Sequence, residues 1–214
     1  MTIITEVGDL MFENMEALEQ ACMGCQQCRL AADRTNLVFG TGNPHADIMF
    51  VGEGPGQQED LQGKPFVGPS GKLLDKMLAA IDLDRNVNIY IANMVKCRPP
   101  QNRDPRPDEE DVCIRWLREQ VRLIRPKIIV CLGRVAAQRL IDPNFRVTRQ
   151  HGEFILRKGV YLMGTYHPSA LLRNPANKPA AFDDFLALRA KALEVDAADI
   201  DALRADLAKN PPLT

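Results

Sequence analysis

Four short apolar runs, at residues 47–51, 88–92, 127–132 and 160–163, constrain this chain more than anything else in it. Each is of strand length, and each leads into a polar or glycine-rich loop. Segments of helical period lie between them. Met11, Met15, Leu18 and Cys22 share one face of residues 10–22. Leu73, Leu74, Met77, Leu78 and Ile81 stripe another helix, with Ser70 as its candidate cap. Helices are also predicted at about 108–124, between the third run and Ile141, at about 179–193 and, short and acidic, at about 197–208. Strands alternating with helices build a mostly parallel sheet covered on both faces, an α/β fold. Ligands of such sheets sit at the carboxyl ends of the strands. The loops there are 52–60, 93–106, 133–135 and 165–174, and they hold the unusual residues of the chain.

With 214 residues, 45% hydrophobic and 26% charged, there is enough apolar material for one sizeable core, which excludes wholesale disorder. No run of 18 or more uncharged apolar residues is present to span a membrane. The first 20 residues carry five acids and no Lys or Arg, the wrong charge for a leader. The expectation is a soluble, cytoplasmic protein. Net charge is −1 but unevenly spread: residues 194–214 hold five acids and two bases, leaving 25 bases against 18 acids in 21–193. A basic body between acidic ends suits a polyanion partner, although an ordinary solvated surface has the same charges.

Six cysteines in such a chain argue against a disulfide framework. Cys25 and Cys28 form a CxxC pair, and Cys97 and Cys113 stand farther along the chain. Four thiolates are soft donors that suit zinc or an iron–sulfur cluster, and spacing alone does not choose between them. Cys22 also makes a CxxC with Cys25, but its place on an apolar stripe favours the core. Cys131, inside an apolar run, is read as a buried thiol.

Gly52-Glu-Gly-Pro-Gly56 after the first run departs from the dinucleotide fingerprint, because residue 57 is Gln and no helix is predicted there. Gly68-Pro-Ser-Gly71-Lys72 imitates a phosphate loop but has Leu73 where Ser or Thr is required. What remains is a backbone-rich wall near two carboxylates, Glu53 and Glu59, or simply a tight turn with surface acids. Among three histidines, His45 and His151 read as surface residues. His167 follows a strand and precedes Pro168, which fixes the backbone there. Leu171, Leu172 and Arg173 then fall in a predicted loop, as a wedge for a base stack or as core. Arg115, Arg118, Arg122 and Arg125 share a helical face, and Lys96, Arg98, Arg103 and Arg106 add charge before it.

Together these segments resemble the iron–sulfur-containing uracil-DNA glycosylases, the fourth family of that superfamily. The likeness rests on Cys25-Gln-Gln-Cys-Arg-Leu30, Val38-Phe-Gly-Thr-Gly-Asn-Pro44, Gly52-Glu-Gly-Pro-Gly-Gln-Gln-Glu-Asp60 and Pro65-Phe-Val-Gly68. It continues through Asn93-Met-Val-Lys-Cys-Arg-Pro-Pro-Gln-Asn-Arg103, Cys113 and His167-Pro-Ser-Ala-Leu-Leu-Arg-Asn-Pro175. It covers roughly residues 22–193, within one domain spanning 1–214 that has an N-terminal helix in 1–21 and an acidic tail at 194–214.

The resemblance implies a three-layer α/β/α sandwich with a central four-stranded parallel sheet, acting as a monomer on uracil-containing DNA. It implies that Cys25, Cys28, Cys97 and Cys113 hold a structural [4Fe-4S] cluster. It also implies a flipped uracil read by Asn93 and stacked on Phe66. Glu53, Gly54 and Pro55 would line the pocket, and Glu59 would exclude the methyl group of thymine. His167 would stabilise charge on uracil O2, while Ser169, Leu171, Leu172 and Arg173 meet the DNA. The best-known branch of the superfamily has a water-positioning aspartate where this chain has Gly54. Glu53 is the first candidate for that task and Asn102 the alternative. A covalently trapped relative and a non-catalytic iron–sulfur DNA-binding protein are the competing readings.

Overall fold

A computed structural model describes residues 3–4 and 10–197. In chain order the strands are β1 (Ile3–Ile4), β2 (Leu10–Met11), β3 (Thr41–Gly42), β4 (Ile48–Gly52), β5 (Ile89–Asn93), β6 (Ile128–Leu132), β7 (Phe154–Arg157) and β8 (Val160–Thr165). The helices are α1 (Met15–Met23), α2 (Leu30–Asp33), α3 (Gln57–Gln62), α4 (Pro69–Ala79), α5 (Pro107–Ile124), α6 (Arg134–Leu140), α7 (Val147–Gln150), α8 (Pro168–Arg173) and α9 (Lys178–Glu194).

The main sheet has the order β3-β5-β4-β6-β8-β7. Its four inner strands are the four apolar runs, and they pair in parallel. Every residue of β4, β5 and β6 is buried, as a strand covered on both faces requires. Alternation assigns the two sides. Ile48, Phe50, Ile89, Ile91, Ile128 and Val130 face α4, α8 and α9, while Met49, Val51, Tyr90, Ala92 and Ile129 face α5 and α6. The result is the three-layer arrangement, with antiparallel β3 and β7 added at the edges. Those two strands escape a reading of hydrophobic runs. One has two residues, and the other is largely exposed along Ile155, Leu156 and Arg157.

Other boundaries also move. The first helix starts at Met15, behind Asn14, whose side chain accepts the Ala17 N–H; residues 10–11 are a strand paired with 3–4. Gly68, not Ser70, stands at the start of α4, with Pro69 as its first residue, where the missing N–H costs nothing. A helix does begin at Gln57, contrary to the reading of the glycine loop. The acidic helix predicted at 197–208 lies outside the described residues apart from Ala197.

α5 carries Cys113 and, through Glu109, anchors the loop after β5 by its Arg103. Pro107 opens the helix, and the Glu109 side chain accepts the Arg106 N–H at 2.8 Å in a capping box. Its buried residues Cys113, Ile114, Trp116, Leu117, Gln120 and Ile124 recur at helical spacing. Arg125, in the left-handed region at φ 56°, ends it before Pro126. A third, smaller core joins α1 to this helix through Leu18, Cys22, Leu30, Phe39, Cys97, Cys113 and Trp116.

Candidate active site at the carboxyl ends of the strands

The connection leaving β4 runs to β5 on one side, and the connection leaving β6 runs to β8 on the other. Such a divergence opens a crevice at the carboxyl edge of the sheet. A cleft of about 650 Å³ lies there, and all four loops singled out in the sequence line it.

Asn93, the last residue of β5, forms its floor. It is 1% exposed, and its Oδ1 is a buried acceptor without a partner. Buried polar atoms are nearly always satisfied, so an orphan facing a cleft is open to a ligand. Gly52 makes room for it: a Cβ at that position would strike both Asn93 Oδ1 and the Phe66 ring. Phe66 holds a left-handed backbone at φ 53°, uncommon for an aromatic residue. Gly71 allows that bend, because a Cβ there would collide with the Phe66 carbonyl. Glu59 clamps it from the other side, its Oε1 accepting the N–H groups of Val67 at 3.0 Å and Gly68 at 2.9 Å. These amides at the start of α4 are therefore spent on the chain's own carboxylate, which disposes of the phosphate-loop likeness.

His167 lies across the cleft with its ring centroid 5.6 Å from that of Phe66. Burial, reinforced by the Arg173 charge, lowers its pKa to about 4 against a weaker pull from Glu59. Its Nδ1 accepts the Ser169 N–H at 3.1 Å, which puts the proton of the neutral ring on Nε2. Ser169 is thereby a capping partner of the histidine. The segment 168–173 is helix α8, not a loop. Its Leu171 is fully buried against α4 and α9, so the wedge expected from that side chain does not exist in this arrangement. Leu172, 43% exposed, is the apolar group that faces outward, beside exposed Arg173.

Glu53, Gly54, Pro55 and Asn102 all line the cleft. The Asn102 Oδ1 is taken by Arg98 Nε at 2.7 Å. Glu53 hydrogen-bonds Asp104, which ion-pairs with Arg134 at the start of α6. Burial first, and then the Asp104 charge, push Glu53 up to about 7, with Arg134 opposing. Neither Asp104 nor Arg134 stood out in the sequence. Asp104 sits in a stretch read only for its bases, and nothing local signals that it meets Glu53.

The basic stripe is partly spent inside the molecule. Arg122 pairs with Glu119 at 3.0 Å, and Arg115 lies over the Trp116 ring. Arg125 is at the far end of α5, which runs away from the cleft. In the preceding loop Arg103 is held by Glu109 at 2.6 Å, and Lys96 is fully buried, donating to the Asn93 carbonyl and Gln120 Oε1.

Cys97 and Cys113 are buried in the small third core, with Cys25 and Cys28 packed against it and Cys22 inside it. The surroundings are rich in donors. Arg34 reaches Cys97 Sγ at 3.2 Å, the Lys96 N–H reaches Cys113 Sγ at 3.3 Å, and the Trp116 indole N–H in the same core has no partner. Among the described residues, no three thiol, imidazole or carboxylate groups gather closely enough to hold a single metal ion.

A model described as the uracil DNA glycosylase superfamily matches residues 39–188, which span the parallel core and the whole cleft. The chain is also 45% identical over 181 residues to a type-4 uracil-DNA glycosylase of Archaeoglobus fulgidus, covering 81% of this chain and 90% of that one. The chain belongs to the type-4 uracil-DNA glycosylase family. Other type-4 uracil-DNA glycosylases are comparably similar. That of Sulfurisphaera tokodaii is 41% identical over 85% of this chain and 86% of its own. That of Saccharolobus solfataricus is 40% identical over 81% and 84%. Among the described residues of this family member, no helix is long and apolar enough to cross a membrane.

Proposed function

We propose that the protein removes uracil from DNA by hydrolysing the bond between the base and C1′ of its deoxyribose. The unpartnered Asn93 Oδ1 beside the Phe66 ring carries this reading. An asparagine amide presents an acceptor next to a donor, which matches N3–H and O4 of uracil. Cytosine offers an acceptor and an amino group there, so the pattern rejects it. Such a base reaches the floor only when flipped out of the stack, at a cost of a few kcal/mol. Phe66 supplies the stacking face, and Glu59 braces it. The wall near C5 that excludes thymine is then rigid.

As the C1′–N1 bond breaks, negative charge develops on uracil and positive charge on the sugar. His167, kept neutral, donates Nε2–H to O2, a preorganised oxyanion contact. A water adds to C1′ and gives its proton to Glu53, leaving an abasic sugar and free uracil. Asn102 is the alternative for placing that water. Ser169, Leu172 and Arg173 would meet the DNA at the rim, with Leu172 closing the gap in the stack. The cleft is complete within one chain, which fits monomeric action.

Cys25, Cys28, Cys97 and Cys113 would hold a [4Fe-4S] cluster. The donor set fits it: four soft thiols, with N–H groups aimed at the sulfurs of Cys97 and Cys113. Bound, the cluster supplies a structural tie between α1, the 97–106 loop and α5.

The test is a single-turnover incubation with a uracil-containing strand beside a thymine-containing control, followed by alkali. Cleavage of the uracil strand alone supports the reading. DNA binding without release of uracil, by protein that has the visible absorption of a cluster, would support a non-catalytic binder instead.

A further inference from the structure

The cleft contains an acidic pair with its own counter-ion, assembled from three loops. Glu53 follows β4, Asp104 lies late in the loop after β5, and Arg134 begins the helix after β6. All three line the cleft. Asp104 touches Glu53 on one side and Arg134 on the other, and Arg134 is further aimed by a bond to Gln138 Oε1 at 3.2 Å. We propose that Asp104 and Arg134 are positioning residues for Glu53: they orient its carboxyl toward C1′ and set the pH at which it is free to take the proton of the attacking water. The inference rests on the uracil-excising reading above.

The physical reason is like-charge crowding. Two carboxyls in hydrogen-bond contact favour sharing one proton, because both ionising together brings two negative charges side by side. Arg134 pairs with Asp104, and the two act on Glu53 in opposite directions, Asp104 raising its pKa and Arg134 lowering it. The other charged groups around the cleft do not remove this bias. Glu110 on α5 adds negative charge, in the same direction as Asp104. Arg103 is committed to Glu109, and Glu59 to the Val67 and Gly68 amides. Arg173 and neutral His167 lie on α8, across the cleft, with Arg173 acting mainly on the histidine. In the step itself, the water O–C1′ bond forms as C1′–N1 breaks. One water proton passes to Glu53, and the bond electrons leave with uracil. A Glu53 that already holds the shared proton has nowhere to put a second, so excision rises with pH as that proton is lost.

The experiment is the pH profile of kcat/KM on a uracil-containing strand, which reports the free protein, for wild type, D104N, R134Q and E53Q. Removing the negative neighbour should shift the acid limb of D104N down by about one pH unit or more, and removing the positive one should shift R134Q up by a comparable amount. E53Q should lose the limb along with most of the rate. The same midpoints are read without DNA, by titrating the carboxyl infrared band that E53Q lacks. Opposite shifts in the two variants support the proposal. Midpoints of D104N and R134Q that stay at the wild-type value, in either readout, overturn it. Correct shifts in the infrared titration with no uracil released by wild type would overturn the role in excision and fail the uracil reading, while leaving the pair itself established.

Discussion

In the proposed reaction Asn93 and His167 divide the chemistry of the cleft, and each has a distinct expected signature when changed. Asn93→Asp replaces the amide donor with a second acceptor, which suits the amino group of cytosine. The ratio of uracil to cytosine release should then fall roughly 10-fold or more. Equal ratios in variant and wild type would remove Asn93 from the reader's role. His167→Ala should slow single-turnover excision by roughly 10²–10³-fold. The histidine also has a stability signature. Its folded pKa of about 4 lies below the ordinary 6.5. As the pH falls between these values, the unfolded chain binds a proton that the folded one refuses, so stability falls. Thermal melts from pH 7 to pH 4 should therefore show a steeper loss in wild type than in His167→Ala. His167 stood out in the sequence because it follows a strand and precedes Pro168, and Asn93 stood out through the family resemblance. The strain at Phe66 did not, since a positive φ in an aromatic residue has no sequence signal.

At the level of elements, α8 shows how a local reading goes astray. A Pro-Ser-Ala-Leu-Leu-Arg stretch bounded by Pro168 and Pro175 looks like a loop, and both leucines look available. Folded as one and a half turns, the segment turns Leu171 into the core and Leu172 outward. Neighbouring helical residues point about 100° apart, so they rarely share an environment. Leu171→Ala should then cost about 2–5 kcal/mol in denaturant unfolding. Leu172→Ala should stay within about 0.5 kcal/mol while slowing excision from duplex more than from single-stranded DNA. A stability loss of similar size in both variants would contradict the assignment. α5 was legible from 108 onward because its buried positions repeat every three or four residues. What those positions would bury was not, since Cys113 gains its meaning from α1 and the loop at Cys97.

For the whole molecule, the small third core is the link most exposed to change. It joins α1 to α5 through the cysteines, Phe39 and Trp116, apart from the two cores that sandwich the sheet. With the proposed cluster held by the four thiols, Cys28→Ser should lose its visible absorption and unfold at lower denaturant concentration, because a bound group stabilises only the state that binds it. The parallel sheet, with its own cores, should keep its circular-dichroism signal under mild conditions. Full absorption in Cys28→Ser would remove that thiol from the ligand set. Surface charge divides along the same lines. Arg115 and Arg122 are held by Trp116 and Glu119, whereas Arg173 stands open at the rim. Arg173→Ala should thus reduce the salt dependence of DNA binding more than Arg122→Ala.

The layers, the parallel core and the loops that line the cleft were readable from the chain alone. Both faces of β4, β5 and β6 are covered, so apolar runs mark them without ambiguity, and the chain order places the loops at one edge. Three things required the folded molecule: the meeting of Glu53, Asp104 and Arg134, the burial of Lys96, and the opposite fates of Leu171 and Leu172. Each depends on where a side chain lands relative to residues distant in sequence or around a helix. Local period and composition hold no information about such contacts, because they arise from packing three layers together.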